Sequence, residues 1–125
     1  MIDQDYASAI HRNAVRKGFW RTLEELDLAR GQQSLGGEPY KAAAFEFYAK
    51  QCMMIVSEVT ELMEALRKEK GQREVEAEAA DIFIRLADLY EGLREHGLAD
   101  DTLSEAVSKK VVKNVQRPER HGVLG

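Results

Sequence analysis

The stretch from Glu58 to Asp81 constrains the fold more than any other. It reads Glu58-Val-Thr-Glu61, then a run ending in Arg67, Lys68, Lys70 and Gly71, then Glu78-Ala-Ala-Asp81. Each acidic pair is spaced i, i+3, which on a helix stacks two side chains on one face. A reversal near Gly71 lays the two helices antiparallel and turns four carboxylates toward one small volume. Like charges about 4 Å apart repel by about 4 kcal/mol at an effective dielectric of about 20. Protonation or a hard cation relieves that repulsion. Oxygen ligands without His or Cys favour Mg²⁺, Mn²⁺ or Ca²⁺ over Zn²⁺.

Helical periodicity extends over the rest of the chain. A first helix is predicted from about Asp3 to Lys17, with the stripe Ala7, Ile10, Ala14 and Val15, and His11 falls on that stripe. Gly18 ends it. A short helix over Thr22–Arg30 has a capping-box spacing, Thr22 to Glu25, and Gly31 suits its C-terminal stop. Gln32 to Glu38 reads as a loop, and Pro39 fits the first turn of a long helix over Tyr40–Lys70. The core stripe there is Ile55, Val59, Leu62, Met63 and Leu66. Glu58 lies on the flank of that stripe and Glu61 further out.

The third long helix, Glu74–His96, is apolar almost all round. Its polar strip holds Glu78, Asp81, Arg85 and Asp88. Such a helix is buried nearly all round, and three neighbours in a domain of 125 residues hardly cover it. The excess, with Ala80 and Ile84 on its far side, reads as an oligomer contact. The last helix opens on the capping box Thr102-Leu-Ser-Glu105 and stops by Arg117, because Pro118 disfavours helix at the residue before it. Its inner stripe is Leu103, Ala106, Val107 and Val111. Lys110 and Asn114 fall inside that stripe, and Arg117 continues it.

The length gives one domain, residues 1–125, with room for a core. A formal net charge of −4 gives no general attraction to polymeric nucleic acid or anionic lipid. The single cysteine, Cys52, rules out an intramolecular disulfide and suits a reducing compartment. Met1 to Asp5 carries no signal pattern, and no run approaches the roughly 20 apolar residues a membrane span needs. The expectation is a soluble cytoplasmic all-α protein.

Each feature has a plain explanation beside the chemical one. Acidic pairs at i, i+3 are most often a solvated face, and Asp81 and Arg85 have the spacing of an intrahelical ion pair. A lysine on an apolar stripe can snorkel, and a core Asn can be hydrogen-bonded. His11 and Trp20 are residue types that commonly serve packing. Against these stand the position of Glu58 beside the core, and the coincidence of Lys110, Asn114 and Arg117 on one face. Those three extend about 10 Å along the helix at the helical rise.

Taken in order, Glu58-x-x-Glu61, Glu78-x-x-Asp81, Lys110-x-x-x-Asn114-x-x-Arg117-Pro118 and His121-Gly122, with the opening His11…Lys17-Gly18-Phe19-Trp20, resemble the MazG-like all-α nucleoside triphosphate pyrophosphohydrolases. The match runs from about residue 7 to residue 122. The resemblance implies a four-helix bundle completed as a homodimer or homotetramer. It implies Mg²⁺-dependent hydrolysis of a (deoxy)nucleoside triphosphate to the monophosphate and pyrophosphate in a house-cleaning role, with Mn²⁺ a substitute. Glu58, Glu61, Glu78 and Asp81 would hold the metal, with Glu61 the candidate general base. Lys110, Asn114 and Arg117 would meet the phosphates or sugar, and His11 and Trp20 the base. Some relatives carry a further Glu where this chain has Ser57, and the segment Thr22 to Lys41 is longer than in the smallest relatives. The alternatives are a phosphoribosyl-ATP pyrophosphohydrolase-like enzyme and a non-catalytic helical adaptor that binds nucleotide or a protein partner.

Overall fold

A computed structural model describes residues 4–118; Asp3 and the His121-Gly122 pair lie outside the described residues. Within them the chain is all helix: α1 Gln4–Arg16, α2 Arg21–Gly31, α3 Gly37–Arg67, α4 Gln72–Glu95 and α5 Leu103–Val115. The four-residue connection between α3 and α4 makes them an antiparallel hairpin. α1 packs on α4 and α2 on α3. No helix among the described residues is long and apolar enough to cross a membrane.

The helix ends are where local chemistry is clearest. Gly18, at φ 88°, closes α1: its N–H donates to Val15 O at 3.0 Å and the Phe19 N–H to Ala14 O at 3.1 Å. Gly97 closes α4 in the same way. Both ends are the left-handed stop that glycine takes without a Cβ clash. The Thr102 box also forms, with the Glu105 N–H donating to Thr102 Oγ1 at 3.1 Å and the Thr102 N–H donating to Glu105 Oε1 at 2.8 Å.

Three expected ends are corrected. Gly31 is the last residue of α2 rather than its stop, and Gln33, at φ 61°, takes the left-handed conformation beyond it. α2 begins at Arg21, with Trp20 as its N-cap and no side-chain cap, so the Thr22–Glu25 box does not form. Burial of the Trp20 indole sets the entry of α2 one residue early. Gly71 does not stop α3 either. The helix ends at Arg67, Glu69 takes the left-handed conformation at φ 50°, and Gly71, at φ 98°, becomes the N-cap of α4. A sharp reversal here uses two left-handed residues, and only the second is glycine.

The core is at one end of the molecule. Ala14, Trp20, Leu23, Tyr40, Ala44, Phe47 and Leu89 pack together where α1 and α2 meet the first half of α3 and the second half of α4. Gly92 makes room for this packing: a Cβ built there would lie 2.0 Å from the Trp20 ring. The stripe expected to be core in α3 is shifted. Val59, Met63 and Leu66 are exposed, and Ala65 is the buried residue of that turn. The reason is coverage: α1 and α2 lie over only the near half of the hairpin. On α4 the expected apolar excess is present, with Phe83 and Ile84 40% and 45% exposed.

α5 departs most from expectation. None of its residues is buried, and Val111 is 53% exposed. Lys110, Asn114 and Arg117 are exposed rather than inside a buried stripe. Among the described residues no helix lies along the valine face; α5 is tied at its base, where the Tyr90 hydroxyl donates to Asp101 O at 2.8 Å and Lys109 pairs with Asp101 at 2.8 Å.

The left-handed Glu69 generates a stability prediction. A non-glycine residue in this region costs on the order of 1 kcal/mol. Glu69→Gly should therefore raise stability by about 1 kcal/mol, visible as a thermal midpoint a few degrees higher. An unchanged or lower midpoint counts against strain at this turn.

Candidate metal centre and adjoining clefts

The hairpin brings the acidic residues together. One carboxylate oxygen from each of Glu58, Glu78 and Asp81 lies within 4.8 Å of the others. Glu61 stands outside this group of three but against Glu58. Their shared hydrogen bond and the charge of Glu58 raise the proton affinity of Glu61. Glu78 is raised as well, first by desolvation and then by the charges of Glu61, Glu74, Asp81 and Glu58. Its Oε2 is buried and has no hydrogen-bond partner. A buried carboxylate oxygen without a donor is costly.

The donor set fits a hard cation. Oxygens about 2.1 Å from Mg²⁺ lie about 3 Å apart at right angles and about 4.2 Å apart across the ion. The observed oxygens, within 4.8 Å of one another, would draw together around such an ion, which would also offer Glu78 a partner for its orphaned oxygen.

Arg85 does not make the expected intrahelical pair with Asp81. It reaches across the hairpin, where its Nε donates to Glu58 Oε1 at 2.9 Å. Both residues line a cleft of about 380 Å³ between α1, α3 and α4, together with Asp81, Asp88, Asn13 and the exposed ring of Phe19.

Asp88 links this cleft to the core. Its Oδ1 accepts from His11 Nδ1 at 2.7 Å and from Trp20 Nε1 at 2.8 Å. The other imidazole nitrogen, His11 Nε2, meets Glu95 Oε2 at 3.0 Å. His11 and Trp20 are 4% and 3% exposed, with their rings edge to face at 4.9 Å. The two candidate base contacts are thus joined to each other and to α4, and both line a second cleft, of about 550 Å³, between α1 and α2. Lys110, Asn114 and Arg117 are not brought to this assembly within the chain. Asp88 and Glu95 were not singled out in the sequence as partners, although Asp88 follows Asp81 by seven residues, two turns along the same face.

A second histidine repeats the pattern. His96 Nδ1 donates to Gly92 O at 2.9 Å and Nε2 to Asp27 Oδ2 at 2.8 Å. Asp27 also accepts from the Tyr40 hydroxyl. Burial and then that bond push Tyr40 up to about 12. Every group facing the nitrogens of His11 and His96 is a carboxylate or a carbonyl, and these only accept. Only the imidazolium satisfies both sides of each ring. Burial alone lowers both histidines. For His11 the bonds to Asp88 and Glu95, and for His96 those to Asp27 and Gly92, outweigh it and hold both above their ordinary value.

No family model matches the chain, and neither a curated protein nor a solved structure matches it.

The histidine clamps set a pH dependence. A group raised in the folded state contributes stability below its unfolded pKa, about 6.5, and loses it as pH rises through the folded value. Urea midpoints should fall between about pH 6 and about pH 9. The variant carrying His11→Gln and His96→Gln should be less stable at the lower pH and show a flatter profile. An equal slope in parent and variant would exclude the clamps as its source.

Proposed function

We propose that the protein is a Mg²⁺-dependent nucleoside triphosphate pyrophosphohydrolase of the MazG-like kind, built as a helical bundle that a second copy completes. The observation that carries this reading is the group of Glu58, Glu78 and Asp81, three carboxylates held within 4.8 Å with the buried Oε2 of Glu78 unpartnered. The order and spacing of the sequence motifs supply the substrate class.

In this reading Glu58, Glu78 and Asp81 hold the ion, with Glu61 beside them. Bound Mg²⁺ supplies charge stabilisation at phosphate oxygens and acidity to a water. Glu61 is exposed and stands beside Glu58 without belonging to the group of three, which suits a carboxylate that takes the proton from the attacking water. Attack at the α-phosphorus breaks the α–β anhydride and releases pyrophosphate. The adjoining cleft, with Asn13 and the Phe19 ring at its wall, has space for the nucleoside beside the carboxylates. His11 and Trp20 position Asp88 at that wall and line the neighbouring cleft.

The phosphate contacts on α5 fit through assembly. Lys110, Asn114 and Arg117 share the helix with exposed Val107, Val111 and Val115, and α4 exposes Phe83 and Ile84. A homodimer or homotetramer packed through those faces would cover the apolar area and carry the α5 cations to an acidic hairpin. Arg117 can grip two phosphate oxygens, whereas Lys110 acts as a point charge. The same exposed faces favour one other reading, a non-catalytic adaptor whose surfaces dock a partner protein.

Pyrophosphate release from a panel of ribo- and deoxyribonucleoside triphosphates with Mg²⁺ separates the two. The expected result is turnover that Glu58→Gln or Asp81→Asn reduces by about a hundredfold or more, with helicity retained. Without metal Asp81→Asn should melt no lower than the parent, because mutual repulsion falls. Full activity in either variant, or no pyrophosphate from any nucleotide, overturns the assignment.

A further inference from the structure

We propose that Arg85 is the internal counter-ion of the candidate metal centre. It holds Glu58 when no ligand is bound and turns to the phosphates of a nucleotide once a divalent cation takes Glu58. Metal and triphosphate then each bind more tightly in the presence of the other. This rests on the metal reading of Glu58, Glu78 and Asp81.

Glu58 belongs to two constellations at once. It contributes an oxygen to the three-carboxylate group, and it is the acceptor for Arg85 Nε at 2.9 Å. The pair is unequal in exposure: the Glu58 side chain is 13% exposed and that of Arg85 34%. The carboxylate is therefore fixed in the hairpin, and the guanidinium is the partner with room to move. Only Nε is engaged. The two terminal nitrogens of Arg85 make no hydrogen bond among the described residues, so the fork that matches a phosphate is free.

The charges around the cleft give this fork a task. Glu58, Asp81 and Asp88 line it, and Arg85 is the one cation among the lining residues. A triphosphate entering such a cleft meets repulsion from every ionised group except Arg85. A divalent ion entering without nucleotide meets the reverse problem, because a guanidinium already holds Oε1 of Glu58. Each ligand relieves the obstacle to the other. The ion takes over Glu58 and frees Arg85, and the phosphates accept Arg85 and remove its charge from the ion. Such a coupling is reciprocal by thermodynamic necessity.

Calorimetry with Mn²⁺ alone, and then with a non-hydrolysable nucleoside triphosphate at saturating Mn²⁺, tests the proposal without turnover. Arg85→Gln should bind Mn²⁺ about tenfold more tightly than the parent in the absence of nucleotide, and the triphosphate at least about tenfold more weakly. These opposite shifts are the signature, since simple structural damage would weaken both. Circular dichroism checks the fold of each variant. If Arg85→Gln loses helicity, Arg85→Lys carries the test: it keeps the charge but not the fork, so Mn²⁺ affinity should stay near the parent's while triphosphate affinity falls several-fold. Mn²⁺ binding by the parent that Arg85→Gln leaves unchanged or weakens overturns the role of Arg85 and leaves the metal reading standing. So does triphosphate affinity unaltered in both variants. No Mn²⁺ binding by the parent or either variant overturns the metal reading, and this proposal with it.

Discussion

The carboxylate of Asp88 holds the fold and the candidate site in register. It is buried, and its Oδ1 takes two donors from the N-terminal part of the chain, His11 on α1 and Trp20 at the start of α2. A buried carboxylate is costly unless it is paired and hydrogen-bonded. Asp88 is therefore satisfied only when α1 and the α1–α2 turn are docked on α4. The dependence also runs the other way. The indole packs over the bare Cα of Gly92 and against Phe47, so one polar bond and one close approach set the same ring. The α1 wall of the cleft beside Glu58 and Asp81 stands where this docking puts it.

The acidic hairpin is a different kind of construction. Its carboxylates oppose one another, and among the described residues Arg85 is their one cross-hairpin cation. Glu61 and Glu78 respond by holding protons more tightly. One side of this centre is walled by α1, whose Asn13 and Ala14 line the cleft shared with Glu58 and Asp81.

Local signals were legible in the sequence where the physics is local. Gly18 and the Thr102–Glu105 box each act within one turn, and each forms as read. The i, i+3 acidic pairs were legible for the same reason, since helical geometry alone aims them. Three of the four acids meet in one group and the fourth adjoins it. What failed depended on distant partners. Thr22 and Glu25 had the cap spacing, but Trp20 followed the core instead. Glu69 bears no left-handed preference that would announce the turn. The apolar stripes of α3 and α5 were real, yet periodicity says only which face is apolar and never what lies against it. The partners of His11, on α4, were beyond any spacing rule because 77 residues separate it from Asp88.

Trp20 is the sole tryptophan of the chain. Its indole N–H is bonded to Asp88, and its ring packs edge to face with the imidazole of His11 and tilted against Phe47. Three helices thus converge on one chromophore. The intrinsic emission of the protein is in consequence a single-site optical signal for the seating of α1 and α2 on the hairpin. It is built in at the seam that separates the two clefts, and it needs no introduced label.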